Sequence, residues 1–340
     1  MPINTAGLTG SALDVSVIIP TLEAGDALRR LIEMLREQTL APREILVIDS
    51  ASTDGTPDIA RECGVRLIGI DRKDFDHGGT RNLAASYAVG EVLVFMTQDA
   101  FPAHPEMLER LVEPLIADER IAVSYARQVP RNDAGLLERL TRAHLYPERP
   151  AVKWKADLPR LGIRTFFCSN VCAAYRRDVF EQLGCFPSPV MFNEDLFFAA
   201  RCILSDFGVA YAAGARVVHS HNYTLGQQFR RYFDNGVSMK GNEWVNEHAG
   251  VGRAGSGLVM AVTRELIRMR RLGYIPRLLV ESAAKFIGYQ LGKRHWLLPH
   301  RLCRRFSMHR GIWDRYYRLR PGTGTDAGVA GGSGGEMLRG

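Results

Sequence analysis

Short apolar runs alternate with amphipathic stretches over the first hundred or so residues of the chain. The runs are rich in Val and Ile and end in polar residues, which predicts buried strands over residues 15–20, 44–49, 65–70 and 92–96. Apolar positions at helical spacing predict helices over residues 27–38, 56–63 and 80–89. This alternation is typical of an α/β protein in which helices flank a mostly parallel sheet.

The alternation becomes less regular after residue 120. We predict further strands over residues 121–125, 173–175, 209–212 and 215–219, and helices over residues 136–145 and 194–204. From residue 258 the pattern is helical and basic, and from residue 321 the chain is rich in Gly and poor in apolar residues. We therefore expect a flexible N-terminus (1–13), an α/β domain (14–245), a basic and mostly helical segment (246–320) and a disordered Gly-rich tail (321–340).

Charge is unevenly distributed along the chain. The formal net charge is +7, yet residues 264–320 carry 15 Lys and Arg against 3 Asp and Glu, so the remainder is acidic. This asymmetry favours an anionic partner for the basic segment, either a membrane surface or a nucleic acid. The first residues do not resemble a signal peptide, and no run reaches the roughly 18 apolar residues of a membrane span. We therefore expect a cytoplasmic protein.

Polar residues follow three of the predicted strands, at the sheet edge where α/β proteins bind ligands. These residues are Pro20, Thr21 and Glu23 after the first strand, the segment DSASTDGT (49–56) at the end of the second, and Gln98 and Asp99 after the fourth. Asp49 could bond a ribose or a base with Asp54 close by, or the segment could form a turn without any ligand. No P-loop motif is present and no Gly-x-Gly-x-x-Gly fingerprint follows the first strand, which argues against a P-loop NTPase and an NAD-dependent dehydrogenase.

A glycine pair precedes the third predicted helix, in the segment HGGTRN (77–82). Gly78 and Gly79 would let the backbone approach a ligand closely, and Thr80 would cap the helix. Arg81 would then lie in the first turn, where a cation opposes the helix dipole. An arginine in so unfavourable a place predicts a phosphate ligand, although an exposed arginine at a helix start is the alternative.

One carboxylate and two imidazoles form a candidate metal site. Asp99 could hold a divalent cation that bridges a diphosphate, or it could cap the next turn. His219 and His221 would project from the same side of a strand, so both could reach one site. Because histidine is a common metal ligand, we predict that one of them joins Asp99 around the cation.

Two adjacent acids, Glu194 and Asp195, begin an apolar helix. They could simply interact favourably with the helix dipole. Alternatively, Phe192, Phe197 and Phe198 could bury one carboxylate, raise its pKa and make it a general base.

Taken in order, these segments resemble the family 2 glycosyltransferases of the GT-A (Rossmann-like) fold over about residues 14–240. The resemblance rests on VSVIIPTLE, DSASTDGT, HGGTRN, the strand-end Asp99, the acid pair and the late histidines. The forms FDHGGTRN, FMTQDAFP and FNEDLFFAARC look most like the rhamnosyltransferase branch, which uses dTDP-L-rhamnose to build cell-surface glycans. The resemblance implies an inverting, metal-dependent transferase.

The resemblance also implies roles for individual residues. The donor would be contacted by Pro20, Thr21, Glu23, Asp49, Asp54, His77, Gly78, Arg81, Gln98 and, from a closing loop, Arg230 or Arg231. Asp99 would hold Mg²⁺ or Mn²⁺ with His219 or His221, and Asp195 would be the general base with Glu194 beside it at the acceptor. Many relatives have Asp-x-Asp where this chain has TQD (97–99), so we expect metal affinity to be low.

The basic segment allows two interpretations. Apolar groups alternate with Lys and Arg, and Trp296, Trp313, Tyr316 and Tyr317 suit a membrane interface. Family acceptors are often polyprenyl-diphosphate-linked sugars, so the segment could rest peripherally on the anionic inner leaflet. Alternatively, it could pack on the catalytic domain as a helical bundle with a solvated basic face.

Three other functions remain as alternatives. The same enzyme could use another donor, such as UDP-GlcNAc or a UDP-hexose, or the fold could be a sugar-nucleotide-binding module without catalysis. The combination of Arg81, Asp99, Asp195 and the paired histidines argues against a non-catalytic module. A nucleic-acid-binding protein is disfavoured because the chain has no such motif and its main domain is acidic.

Overall fold

The computed structural model describes residues 14–248 and 254–318. The regions predicted to be a flexible N-terminus and a disordered tail lie outside the described residues. Within the described part, a central β-sheet is flanked by helices and is followed by a further group of helices.

The sheet of the described residues has nine strands. They are β1 (Val15–Thr21), β2 (Glu44–Asp49), β3 (Arg66–Gly69), β4 (Val92–Met96), β5 (Phe101–Pro102), β6 (Ile121–Val129), β7 (Ala151–Lys153), β8 (Cys172–Arg176) and β9 (Gly208–Val218). Their order is β3-β2-β1-β4-β8-β6-β9-β5, and β7 also pairs with β9. The expected α/β architecture is confirmed.

The sheet is mixed, whereas the sequence predicted a mostly parallel one. Strands β3, β2, β1 and β4 pair in parallel, as predicted. Strand β8 then lies antiparallel between β4 and β6, and β5 and β7 are antiparallel to β9. Strand direction depends on the connections between strands, which apolar patterning does not reveal.

The helices surround this sheet. They are α1 (Asp26–Arg36), α2 (Thr56–Glu62), α3 (His77–Tyr87), α4 (Met107–Ala117), α5 (Leu136–Leu145), α6 (Leu158–Leu161), α7 (Arg177–Gln182), α8 (Glu194–Leu204), α9 (Leu225–Gly241), α10 (Trp244–His248), α11 (Ala254–Arg268), α12 (Ile275–Lys293), α13 (His300–Phe306) and α14 (Arg310–Arg318). In α1 the buried residues are Leu28, Leu31, Ile32 and Leu35, the spacing of one helix face.

Two large apolar clusters fill the two sides of the sheet. Alternate residues of β1 enter different clusters: Val17 and Ile19 pack in one and Ile18 in the other. This division follows from the two-residue period of a strand. Because β1 is buried on both faces, it is apolar throughout, which explains why the sequence identified it as a strand.

Helix α3 and strand β9 differ from their predicted bounds in ways that matter for the site. Helix α3 begins at His77 rather than at residue 80, because Asp76 accepts hydrogen bonds from the N–H groups of Gly78 and Gly79 and is the N-cap. Thr80 therefore does not cap the helix. The two predicted strands over 209–219 form the single strand β9, with an irregularity in its pairing to β6 between Ala126 and Arg127.

The C-terminal segment (residues 254–318 in the structure) packs on the α/β domain through close helix contact. On α12, a Cβ at Gly288 or Gly292 would overlap the carbonyl oxygen of Phe229 or Phe233 on α9. Gly236 of α9 has the same relation to the backbone of α12. These glycines let the two helix backbones touch.

A third apolar cluster continues this contact. It contains Met191, Phe233, Cys303, Ile312 and Trp313 among its buried members, so helices α13 and α14 share a core with the α/β domain. None of the helices in the described residues combines the length and the apolar character needed to cross a membrane.

Candidate active site

The ends of β1 and β2 are joined through one carboxylate. Strand β1 continues through Pro20, which pairs in register with Ile48, and ends at Thr21. The Thr21 hydroxyl donates to Asp49 Oδ1 at 2.9 Å, and Ser52 donates its N–H to Oδ2 at 2.9 Å and its hydroxyl to Oδ1 at 2.6 Å. Asp49 is only 3% exposed. These bonds fix its position at the predicted donor edge.

The end of β4 is joined to the same loops. Gln98 accepts at Oε1 from the N–H of Leu22 at 2.7 Å and donates its Nε2 to the Leu22 carbonyl at 3.0 Å. Glu23 accepts from the N–H of Thr53 at 3.3 Å. Glu23 and Ala51 have φ values of 52° and 57°, a region that residues other than glycine rarely adopt. Such strained backbone is common at ligand sites.

Asp54 has a local structural role. It accepts hydrogen bonds at Oδ1 from the N–H of Thr56 at 3.1 Å and from the Thr56 hydroxyl at 2.5 Å. The hydrogen bond from this hydroxyl lowers the pKa of Asp54. The Thr56 oxygen in turn accepts from the N–H groups of Ala24 and Gly25. The turn interpretation of this segment is thus realised, and a contact of Asp54 with the donor stays a prediction.

A cavity of ≈ 690 Å³ opens beside Asp49. It lies at the ends of β2 and β3, where Asp49, Arg61 and Asp71 supply polar groups and Val65 and Leu67 supply apolar ones. Small-molecule sites commonly have volumes of about 300–1,000 Å³ and this mixture of lining groups. The cavity therefore has the size and chemistry to hold part of a nucleotide.

The three residues of the predicted metal site lie together. Asp99 Oδ2 is 3.3 Å from His221 Nε2 and 3.5 Å from His219 Nε2, and one ligand atom from each residue lies within 4.8 Å of the others. Burial alone would raise the pKa of Asp99, but hydrogen bonds and charge from His219 and smaller effects of Thr97 and His221 hold it below its usual range. Burial, aided by the charge of His219, lowers the pKa of His221 to about 4. At neutral pH the group thus offers a carboxylate and a neutral imidazole of His221, the forms that bind metals.

Gln128, at the end of β6, orients one of these imidazoles. Its Nε2 donates to the Tyr146 oxygen at 2.6 Å and to Ser169 Oγ at 2.9 Å, so its Oε1 faces Nδ1 of His219 at 3.0 Å. Arg142 also donates to this Oε1. In the neutral form of His219, this bond places the proton on Nδ1 and leaves Nε2 with a lone pair that faces the metal site.

Asn170 connects the two acids at the start of α8. Its backbone N–H donates to Asp195 Oδ2 at 2.9 Å, and its side-chain Nδ2 donates to Glu194 Oε1 at 3.0 Å. The Tyr175 hydroxyl donates to Asn170 Oδ1 at 2.7 Å and so fixes the orientation of the amide. Asp195 Oδ1 accepts from the N–H of Leu196 at 2.8 Å. Both carboxylates are therefore held in defined positions.

The pKa of Asp195 is raised above its ordinary value. Burial is the largest cause and the negative charge of Glu194 the second. Phe197 and Phe198, on the same helix, lie in the apolar core, and Phe192 stacks on His77. A raised pKa suits a general base, because a carboxylate with a higher pKa binds a proton more strongly.

Arg81 lies in the interior beside this acid pair. Its Nη1 is 3.3 Å from Glu194 Oε1, both side chains are 5% exposed, and the same Nη1 donates to the carbonyl of His77 at 2.9 Å. The alternative of an exposed arginine is therefore wrong. Arg81 partly neutralises Glu194, and its contact with a phosphate stays a prediction.

The glycines of HGGTRN are required by packing. A Cβ at Gly78 would overlap the carbonyl oxygen of Pro187, and one at Gly79 would crowd Asp76 and Ser188. The sequence attributed these glycines to close approach by a ligand. The structure shows that the chain around residues 187–188 occupies that space.

Arg231, on helix α9, lies between the metal site and the loop before α8. Its guanidinium is 4.7 Å from the ring centre of Phe192 and 5.8 Å from that of Tyr223, which itself stacks on His221 at 4.7 Å. The expectation that a closing loop carries this residue is wrong, because QQFRRYFDNG lies within the regular helix α9. Arg230 is its neighbour on the same helix, and no contact in the described residues joins it to the predicted site.

Hydrogen bonds connect the candidate base to the candidate metal site. The connection runs from Asp195 to Asn170, along the backbone to Ser169, and through Gln128 to His219. Asp195 and the Asp99–His219–His221 group are thus connected within the fold. Sequence reasoning missed the bridging residues because the strand predicted over 121–125 ended before residue 128, so Gln128 was not recognised as a strand-end residue.

Comparison with known proteins agrees with this geometry. The profile of "Glycosyl transferase family 2" matches residues 16–184. The chain is 41% identical over 305 residues to the O-antigen chain rhamnosyltransferase RfbN of Salmonella typhimurium, covering 89% of this chain and 96% of that protein. It is also 41% identical over 302 residues to the O-antigen chain rhamnosyltransferase WbaN of Salmonella anatum, covering 88% and 95%.

A solved structure shows the same fold. The mannosyltransferase PcManGT from Pyrobaculum calidifontis, in complex with GDP-Man and Mn²⁺, superposes with a TM-score of 0.51 at 20% identity, covering 91% of this chain and 89% of that one. The fold is that of the GT-A glycosyltransferases, as the resemblance implied. The chain belongs to glycosyl transferase family 2.

Proposed function

We propose that this glycosyltransferase moves L-rhamnose from dTDP-L-rhamnose, with inversion, to a hydroxyl of a saccharide or polyprenyl-diphosphate-linked saccharide during synthesis of a cell-surface polysaccharide such as O-antigen. The hydrogen-bonded connection between Asp195 and the Asp99–His219–His221 group carries the proposal. Transfer requires a base for the acceptor and positive charge at the leaving diphosphate, both close to one sugar. The names of the two Salmonella relatives support rhamnose as the sugar.

The donor is proposed to lie along the ends of β2, β1 and β4. Its base and ribose enter the cavity beside Asp49, bordered by Thr21 and Glu23. Its diphosphate then extends past Gln98 toward Asp99. Arg231 supplies a positive charge near the diphosphate. The adjacent Phe192 and Tyr223 rings hold its guanidinium between α8 and the Asp99–His219–His221 group, called the metal group below.

The metal group fits a divalent cation. It offers one carboxylate and two imidazole nitrogens within 4.8 Å of one another, which leaves coordination positions for diphosphate oxygens. When bound, the cation would stabilise charge on the departing diphosphate. Two imidazole ligands disfavour Mg²⁺, which prefers oxygen, so we propose Mn²⁺. The Mn²⁺ in the PcManGT complex supports this choice.

Asp195 is proposed to act as the general base. Its carboxylate, held by Asn170 and Leu196, takes the proton of the acceptor hydroxyl as the oxygen attacks the anomeric carbon. The attack comes from the face opposite the diphosphate, so one displacement inverts the anomeric centre and needs no covalent intermediate. Glu194 keeps the pKa of this base raised through its negative charge.

The C-terminal segment is proposed to rest on the anionic cytoplasmic face of a membrane, where a lipid-linked acceptor would be found. Helix α12 exposes an apolar stripe at helical spacing, formed by Leu279, Val280, Phe286 and Ile287. Phe286 is 63% exposed, and Leu297 just beyond the helix is 68% exposed. An exposed apolar stripe on a strongly basic segment matches an anionic lipid surface. The packed-bundle interpretation also applies, since the opposite face of α12 packs on α9.

A panel of sugar nucleotides tests the proposal. The purified protein is incubated with dTDP-L-rhamnose, UDP-GlcNAc and UDP-galactose, each with Mn²⁺ or Mg²⁺, and donor hydrolysis and thermal shift are measured. We expect donor hydrolysis and a thermal shift with dTDP-L-rhamnose. Mn²⁺ should support both at a lower concentration than Mg²⁺ does. Both signals with a UDP-sugar and neither with dTDP-L-rhamnose would refute the rhamnose assignment. The Asp195→Asn variant should bind the donor and fail to transfer the sugar.

A further inference from the structure

Two imidazoles from distant parts of the chain meet beside the acid pair. His309, between α13 and α14, has its Nε2 3.2 Å from Nε2 of His77 at the start of α3. Phe192, two residues before Glu194, stacks on His77 with ring centres 4.8 Å apart and meets His309 edge-on at 5.0 Å. We call His77, Phe192 and His309, with Phe75 against them, the aromatic wall.

The catalytic domain holds His309 in place. Asp234 of α9 is fully buried and accepts the N–H of Met308 at Oδ2 at 2.8 Å, while Ser307 Oγ accepts the N–H of His309 at 3.0 Å. Immediately beyond, Trp313 is fully buried in the third apolar cluster. The chain on both sides of His309 is therefore fixed, and the position of its ring is a property of the folded protein.

A contact between two Nε2 atoms at hydrogen-bond distance requires one N–H and one lone pair. Burial, with the charges of Arg81 and Arg231, lowers the pKa of His77. Burial, with His77 and Arg231, lowers the pKa of His309. Both rings are thus neutral near neutral pH, one as the Nε2–H tautomer and the other with its proton on Nδ1. The bond consequently fixes the orientation of the His77 ring and makes its tautomer depend on that of His309.

We infer that the C-terminal segment forms one wall of the catalytic site, and that His309 is a positioning residue that fixes the ring of His77 for donor binding. The wall adjoins Arg231, whose guanidinium lies 4.7 Å from the ring of Phe192. The inference rests on the proposed function in one respect, because His77 is proposed to contact the donor. It extends the catalytic unit to His309, far beyond the predicted boundary at residue 245 and outside the matched profile of residues 16–184.

Two substitutions at one position separate the hydrogen bond from the packing. His309→Phe keeps an aromatic ring and removes the bond, whereas His309→Gln places an amide where Nε2 lay and can restore it. We expect His309→Phe to raise the donor KM about three- to tenfold, the cost of one lost hydrogen bond, with kcat nearly unchanged. His309→Gln should recover most of this loss. His144→Phe, at an exposed position on α5, is the control and should behave as wild type.

Two further measurements show whether His309 acts through His77. In a His77→Phe background, His309→Phe should leave the donor KM unchanged. Imidazole ¹⁵N NMR of the free protein should show one Nδ1–H tautomer in the pair, and His77 should revert to a solvent-like tautomer mixture in His309→Phe. Equal impairment by the Phe and Gln variants, or lower thermal stability with an unchanged KM, would leave His309 a purely structural residue and overturn the inference.

Failure of the proposed function has a different signature. If dTDP-L-rhamnose is the wrong donor, wild-type protein will not turn it over, and the same variants can be compared with whichever donor of the panel it accepts. The NMR measurement needs no donor at all. If His77 has one defined tautomer in wild type and keeps it in His309→Phe, the positioning role of His309 is contradicted, whatever the donor is.

Discussion

Nδ1 of His219 lies 3.0 Å from Oε1 of Gln128, so a residue outside the metal group fixes the orientation of one of its imidazoles. The orientation of the Gln128 amide is fixed, because its Nε2 donates to Tyr146 and Ser169. The Gln128 amide is also part of the hydrogen-bonded connection between His219 and Asp195. We therefore expect Gln128 to influence metal binding without contacting the metal.

Replacing Gln128 should weaken cation binding. In Gln128→Ala the His219 ring loses the acceptor that holds its proton on Nδ1, and losses of about 10- to 100-fold in metal affinity are typical for such partners. Mn²⁺ titration followed by electron paramagnetic resonance measures the effect. Tyr146→Phe is the matched control, since it removes a partner of the Gln128 Nε2 but leaves the bond to His219. If Tyr146→Phe lowers the Mn²⁺ affinity as much as Gln128→Ala does, the loss reflects general disruption of the site and not the bond to His219.

The fall of kcat/KM at low pH, which is the acid limb of the pH profile, should depend on Glu194. Because the proposed base, Asp195, must be ionised to take a proton, kcat/KM should fall as pH falls through its raised pKa. In Glu194→Gln the neighbouring negative charge is gone and Arg81 is left without its partner, and both changes lower the pKa of Asp195. The limb should therefore move to lower pH. A limb that stays in place would show that another group controls it.

The same carboxyl should make the protein less stable at high pH. Because the pKa of Asp195 is higher in the folded than in the unfolded chain, folding favours its protonated form, and this stabilisation is lost as pH rises through the folded pKa. Asp195→Asn stays neutral and can still accept from Asn170. Its melting temperature should exceed that of wild type by on the order of a few degrees at pH 8, and the difference should shrink as pH falls and vanish below about pH 4, the pKa of an aspartate in the unfolded chain. A difference independent of pH would contradict this explanation.

The sequence predicted best those features that depend on a short stretch of chain. Strand β2 and helix α8 have the predicted bounds, because one is an apolar run buried on both faces and the other begins at two acids. Strand-end loops were predicted to form a ligand-binding edge because parallel strands end at the same side of a sheet, and contact of this edge with the donor stays a prediction. The grouping of Asp99, His219 and His221 follows from the same reasoning.

Long-range contacts were the ones the sequence could not predict. His77 and His309 are 232 positions apart, and nothing in either segment indicates the other. Asn170 lies two residues before the reversed strand β8, whose direction depends on the connections between strands. The glycines of α12 resembled ordinary helix residues, because only the close approach of α9 requires them.

Helix packing by these glycines gives a prediction about stability. Gly292→Ala places a methyl group against the carbonyl oxygen of Phe233, and because backbone is rigid the two helices must separate. We expect a loss of about 1–3 kcal/mol in the free energy of unfolding, measured by urea denaturation. Gly226→Ala on α9 is the control: no atom lies within 4 Å of its added Cβ, so the change should be neutral or slightly stabilising. Equal loss in both variants would refute the close-packing argument.

Membrane binding should depend on the apolar stripe of α12 and on charge together. Burying one exposed apolar side chain contributes about 1.5–3 kcal/mol, so Phe286→Glu combined with Ile287→Glu should reduce binding to vesicles of phosphatidylglycerol and phosphatidylcholine more than tenfold. Ile116→Glu, which introduces one glutamate at an exposed apolar position of α4, should bind as wild type does. Binding should also weaken at high salt, because screening reduces the attraction of the basic residues to the lipid. If the double variant binds as strongly as wild type, the exposed stripe serves another purpose and the segment is only a packed bundle.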